Sequence, residues 1–426
     1  MKLSYLIFAI SLQFTGFILS QSSFTCADDW PQINGPSRNG KAPQEKLLTT
    51  WPKNGLTKVW THSVGQGYSG PVVVDDKLII FHRPGRQYLV EALNAKTGKV
   101  IWNRELPSEY SAGGPDSDTG PKAVPLVYDG HVYLFGTGGN LFCLRLDDGK
   151  VVWKKNVLDI YSSPSGYFGS GSSPIVINEK LLLNVGGKNA GVVAFDLKNG
   201  KEIWKAFDGR ASYSSPIAFE ANGKSLAFFV TRLHALVVDP DSGQVLGKIR
   251  FGRSGATVNG AMPVLIGKRI FLNAAYYVGG KVVEWSKGQL NAQPQTPNDQ
   301  FASQYSTPVA VGLNLYGTAG REDFDNGSFR CVEISENGTM KLKWKREGIP
   351  IGHSILVGKQ ILTLDSKGGF HVIEANPERF NQVFTTQLFN SKSRAMPAIA
   401  NGLFYARSNA IRGKGELICL EVGQRD

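Results

Sequence analysis

The sequence predicts an all-β protein, a single eight-bladed β-propeller of four-stranded antiparallel blades. Three observations predict it. First, a small or polar residue followed by Pro and an apolar strand recurs. Its anchors are Pro71, Pro125, Pro174, Pro216, Pro263, Pro308, Ser354 and Pro397. By subtraction these lie 54, 49, 42, 47, 45, 46 and 43 residues apart, the period of a repeat architecture rather than of separate domains. Second, the apolar strand of "ALNAKTGKVIW", "CLRLDDGKVVW" and "AFDLKNGKEIW" runs into a turn of Asp or Asn and Gly, then into a strand ending in Trp. Such a turn needs Gly at positive φ, and Asx side chains bond the local backbone, so the motif describes a tight hairpin. Third, glycine is 49 of 426 residues, without a G-X-Y period, which means many turns and many short strands.

The elements follow in order along the chain. Met1-Lys2 and the interrupted apolar run Leu3 to Leu19 are marginal for a bilayer ~30 Å thick but suit a secretory signal peptide. Residues 1–27 are assigned to that peptide, with cleavage near Ala27. Acylation of Cys26 is the competing reading, and Phe24 fits a lipobox badly. Residues 28–55, opening "DWPQINGPSRNG", form an N-terminal strap, and residues 56–426 form the propeller. No other run is long and apolar enough to cross a membrane. The protein is therefore expected to be exported, soluble and monomeric, in the periplasm or outside the cell.

Trp102, Trp153 and Trp204 recur at one offset, and Trp344 fills a similar place, which marks packing elements between sheets. Leu246 is read at this place in unit four, the region of Trp285 in unit five and Val383 in unit seven. Cys143, Cys331 and Cys419 share a local setting with Ala92 and Ala194, so they replace a small buried residue. No disulfide and no metal site is assigned. Inner and outer strands both count to eight if residues 56–63 supply the outer strand of the last blade, which closes the ring and removes its sheet edges. Seven blades would require unit five or seven to be an insertion.

The turn-and-Trp repeat resembles that of the PQQ-like (quinoprotein-type) β-propellers over about residues 55–424. This family includes quinoprotein alcohol dehydrogenases and the propeller lipoprotein of the outer-membrane β-barrel assembly machinery. The opening strap resembles that of exported bacterial members. Fold alone does not settle activity. The resemblance to the dehydrogenases implies a quinone stacked on an adjacent-cysteine disulfide, with acidic calcium ligands. This chain has no adjacent cysteines.

Loops that lead from an outer strand to the next inner strand gather on one face. The residues three before each anchor are Tyr68, Lys122, Gly171, Tyr213, Gly260, Tyr305, Ile351 and Arg394. Tyr68, Lys122, Tyr213, Tyr305 and Arg394 therefore form a cationic, hydroxyl-rich rim, with His353 at the mouth in a structural role. Such a rim suits a carboxylate, a phosphate or a sugar, and the alternative is a solvated edge. The long loops 106–122 and 157–173 are candidates for function. Asp116-Ser117-Asp118 reads as a solvated turn, and "REDFDNGSF" (321–329) as an ordinary hairpin tip.

The expected function is a non-catalytic binding or scaffold propeller of the bacterial cell envelope. Its partners would be envelope proteins, or an anionic or hydroxylated ligand or glycan, and no cofactor is expected. A PQQ- and calcium-dependent dehydrogenase and a binder of acidic glycans are the alternatives. A net charge of +12 suits acidic partners, but export and the absence of a Lys/Arg cluster argue against nucleic acid.

Overall fold

Thirty-two strands pair into eight four-stranded antiparallel sheets arranged as a ring, an eight-bladed β-propeller. The computed structural model describes residues 29–111, 118–255, 257–292, 299–410 and 413–423. The expected signal peptide, Cys26 and the start of the Asp116–Asp118 segment lie outside the described residues. Seven blades take their strands in sequence order, beginning with Val72–Val74, Lys77–His82, Tyr88–Asn94 and Val100–Leu106 in blade 1. The eighth blade joins Ala398–Ala400, Leu403–Arg407 and Gly415–Glu421 to Lys58–Val64 as its outer strand. His62 opposite Leu417 and Trp60 opposite Cys419 set this closing register.

The repeated tryptophans fasten each blade to the next. Trp102 Nε1 donates to the Leu146 carbonyl, Trp153 Nε1 to Leu197 and Trp204 Nε1 to Pro240, each at 2.9 Å. The three rings are 8–9% exposed. Each presses on the turn glycine of the following blade. A Cβ on Gly149 would stand 2.5 Å from the Trp102 ring, and one on Gly200 would stand 2.8 Å from Trp153. These glycines also hold φ at +66°, so the turn excludes a side chain on two grounds.

Within a blade, the residue directly opposite each Trp is small. Ala92 faces Trp102, Cys143 faces Trp153, Ala194 faces Trp204, Cys331 faces Trp344 and Cys419 faces Trp60. These three cysteines are buried at this small-residue position and form no disulfide among the described residues.

Blades 4 and 5 correct the sequence reading. In blade 4 Gly247, not Leu246, holds the Trp position, opposite Val237, because it follows the turn glycine Gly243 by four residues as Trp204 follows Gly200. Trp285 lies in the third strand of blade 5, Gly279–Ser286, and the outer strand is Gln289–Ala292. The two departures compensate each other: a Cβ on Gly247 would meet the Trp285 ring at 3.0 Å, so the displaced indole fills the gap the glycine leaves.

Residues 29–42 run across the axial channel and bind the inner strands from within. Trp30 pairs with Val73 of blade 1, and Pro31 accepts from Val127 N of blade 2. Arg38 donates to the carbonyls of Ser173 and Pro174 in blade 3, while Ala42 and Gly40 exchange bonds with Leu356 of blade 7. Burial lowers the Arg38 pKa to about 9, since only neutral oxygens meet its charge. Further on, Trp51 stacks on Phe384 with centroids 5.2 Å apart. Phe384, not Val383, holds the Trp position of blade 7, so the strap supplies the indole that this blade lacks.

Candidate functional site

An antiparallel blade returns its chain twice to the same face, once after the outer strand and once between the second and third strands. Both sets of loops surround the end of the axial channel. There they enclose a cavity of about 620 Å³ floored by Ile33 of the strap, Val124 and Met396. Tyr68, Lys122, Tyr213, Tyr305, His353 and Arg394 all line it, joined by Gly171 and Gly260. Ile351 is buried and does not line it.

These residues hold one another in place. Arg394 Nη1 donates to the Tyr68 hydroxyl at 3.0 Å, and two cations stand near the Tyr68 ring. Lys122 Nζ is 5.0 Å and the Arg394 guanidinium 5.1 Å from its centroid. Tyr213 accepts from Phe168 N at 2.8 Å, and burial pushes its phenol up to about 12. His353 packs 5.5 Å from the Tyr305 ring and donates from Nε2 to the Arg394 carbonyl at 3.0 Å.

Two acidic residues also stand in the mouth, and reasoning from the sequence missed them. Glu322 and Asp323 line the cavity from the 321–329 segment, which was read as an ordinary hairpin tip. The signal was available in strand parity: this segment joins the second and third strands of blade 6, so it returns to the mouth face. Glu322 Oε1 accepts from Arg394 Nη2 at 2.9 Å and Lys392 Nζ at 2.7 Å. Its Oε2 accepts from Arg394 Nε at 2.8 Å and the Tyr305 hydroxyl at 3.0 Å. Burial raises the Glu322 pKa, but Arg394 and Lys392 outweigh it and hold the carboxyl at about 2. Burial and the same carboxylate push the Tyr305 phenol well above its ordinary value.

Asp118 is a second correction. It is buried rather than solvated, and it accepts from Gly67 N at 3.0 Å and Gly120 N at 2.9 Å. Its carbonyl accepts from Lys122 Nζ at 3.2 Å, which fixes that lysine at the rim.

Comparison with known proteins places this geometry. The sequence profile of the family described as "Outer membrane protein assembly factor BamB" matches residues 45–218 and 164–336. The chain belongs to this family of PQQ-like propellers. The BamB of Burkholderia pseudomallei is 32% identical over 341 residues, covering 76% of this chain and 79% of that protein. The quinoprotein alcohol dehydrogenase PedH of Pseudomonas putida is 29% identical over 224 residues, 46% of this chain. That match spans only 35% of PedH's length. Among solved structures, a europium-containing methanol dehydrogenase superposes with a TM-score of 0.69 at 13% identity, covering 92% of this chain and 98% of its own. BamB from Moraxella catarrhalis superposes at 0.59 and 14% identity, covering 85% and 97%. At these identities the superpositions establish the fold alone.

The residues present do not match the quinone site implied by the resemblance to the dehydrogenases. None of the three described cysteines lines the mouth, since they sit opposite tryptophans in separate blades. Among the described residues no group of three His, Cys, Asp or Glu side chains is placed to hold a metal ion. No helix among them is long and apolar enough to cross a membrane.

Proposed function

We propose that this chain is an exported, non-catalytic binding propeller of the bacterial cell envelope, a scaffold whose mouth receives an anionic or hydroxylated group. Its membership of the BamB family supports the envelope scaffold. The observation that carries the non-catalytic part is the saturation of Glu322. A carboxylate has about four acceptor sites, and Arg394, Lys392 and Tyr305 occupy all four. Such a group is spent as a metal ligand. With its pKa held at about 2 it is also a poor base for alcohol oxidation near neutral pH.

Among the described lining residues, cations outnumber acids, with Lys122, Arg321 and Arg394 against Glu322 and Asp323. Lys122 lines this cavity with its Nζ held by the Asp118 carbonyl at 3.2 Å and 5.0 Å from the Tyr68 ring centroid. An anionic side chain or small ligand at the mouth would lie between Lys122 and the tyrosine hydroxyls.

The test has two arms. The purified protein is assayed with PQQ, calcium, an artificial electron acceptor and a panel of alcohols and sugars. No turnover is expected, and quinone-dependent turnover would overturn the reading. A Lys122→Ala, Arg394→Ala double variant is then screened beside wild type against anionic and hydroxylated ligands. Loss of a ligand that wild type holds supports the mouth as the site, and equal binding by both proteins refutes it.

A further inference from the structure

A second cavity, of about 800 Å³, opens on the same face but off the axis, between blades 3 and 4. Its walls come from the 157–173 loop and the segments around Arg210, Arg232 and Gly255. Tyr167, Gly171 and Tyr213 stand between it and the mouth, lining both.

Its charge differs from that of the mouth. Arg210 and Arg232 line it, and among the described residues no carboxylate does. Arg232 donates to the carbonyls of Arg253 at 2.7 Å and Gly255 at 2.8 Å and to the Thr257 hydroxyl at 2.7 Å, so neutral oxygens aim its charge without cancelling it. Burial lowers its pKa most, while Tyr167 and Tyr213 raise it and the nearby Arg210 guanidinium lowers it again. The Arg210 side chain makes no hydrogen bond or ion pair among the described residues.

A second observation is independent of charge. Asn184 is 1% exposed and lines this cavity. Its Nδ2 donates to the Val230 carbonyl at 3.0 Å, which fixes the amide, yet its buried Oδ1 has no partner. An unmet buried acceptor is costly, and a bare anion cannot satisfy it, because it needs a donor. Three tyrosines, Tyr110, Tyr167 and Tyr213, also line the walls, and Tyr167 is 53% exposed. Aromatic faces, hydroxyl-bearing walls, two unneutralised guanidiniums and one acceptor awaiting a donor suit one ligand class.

We infer that this off-axis cavity is a binding site for an acidic oligosaccharide. Its carboxylates would meet Arg210 and Arg232, a sugar hydroxyl would donate to Asn184 Oδ1, and a ring face would lie on Tyr167. The inference is independent of the mouth reading, and the two fail separately.

The experiment is calorimetric titration of the full chain with tetragalacturonate. Maltotetraose, tetraglutamate and sodium sulfate serve as comparison probes. Saturable binding of tetragalacturonate that weakens as salt rises is expected, with maltotetraose far weaker. Arg210→Gln, at an exposed position that leaves folding intact, should weaken binding on the order of tenfold. Tyr167→Ala should weaken it as well, and Lys122→Ala at the mouth should not. The inference is overturned if tetragalacturonate does not bind, or if Arg210→Gln binds it as tightly as wild type. It is equally overturned if tetraglutamate or sulfate binds as well, or if Lys122→Ala matches the loss in Arg210→Gln.

Discussion

Buried ionisable side chains give this protein a defined response to acid. His353 is 6% exposed, and burial lowers its pKa to about 4, against an unfolded value of ~6.5. Between these values the unfolded chain holds the proton and the folded one does not, so stability must fall as the pH drops through that window. At about 1.4 kcal/mol per pH unit the loss approaches 3 kcal/mol. Glu91 and Glu322 act at lower pH. Burial raises both, but the hydrogen bonds of His62 and His82 to Glu91, and of Arg394 and Lys392 to Glu322, hold each at about 2. Their contribution is present above the unfolded value of ~4.3 and disappears as the pH falls towards 2. Urea midpoints measured from pH 7 to pH 4 should therefore decline in wild type. His353→Gln keeps a donor for the Arg394 carbonyl and should flatten that decline, and an unchanged slope would assign it to other groups.

The blade-to-blade fastener is a property of elements rather than of single residues. Truncating Trp102, Trp153 or Trp204 to Ala should cost about 3–5 kcal/mol each, read as a lower denaturant midpoint. The turn glycines separate two effects. Gly149 and Gly288 both have positive φ, but only Gly149 lies against an indole, and a Cβ on Gly288 would meet nothing within 4 Å. Gly288→Ala should cost about 1 kcal/mol for the backbone alone. Gly149→Ala should cost about 1–3 kcal/mol more, because the Trp102 ring must shift. Equal losses would show that the indole contact adds nothing.

At the scale of the whole molecule, the ring depends on its first strand. Lys58–Val64 covers the edge of the last blade, and a buried polar cluster lies at the seam: His62 of this strand and His82 of blade 1 both reach Glu91 Oε2 at 2.9 Å. Deleting residues 29–63 exposes the Gly415–Glu421 edge and should drive aggregation, visible as loss of the monomer peak in gel filtration. Deleting residues 29–55 alone keeps the closing strand but strips the axial channel of Trp30 and Arg38. That variant should stay monomeric with a lower melting temperature, and aggregation equal to that of the longer deletion would place the decisive contacts in the strap instead.

The blade number, the ring closure and the small buried residue at the setting shared by Ala92 and Cys143 were legible in the sequence. Each is written by a local hairpin pattern repeated at a fixed period, and neighbouring blades need only the same pattern again. The rim tyrosines, Lys122 and Arg394 were legible for the same reason, since they keep a constant offset from the anchors. Glu322, Arg232 and Asn184 lie outside that offset, in the second strands and the loops that follow them, where sequence and length vary from blade to blade. Only the tertiary structure brings Glu322 within reach of Arg394, 72 positions away, and leaves Arg232 without a carboxylate. Gly247 and Trp285 make the same point in the core: each breaks the repeat, and only packing in three dimensions shows that one fills the space the other leaves. A repeat fixes where the backbone goes, whereas ion pairing and packing depend on which non-repeated side chains the ring brings together.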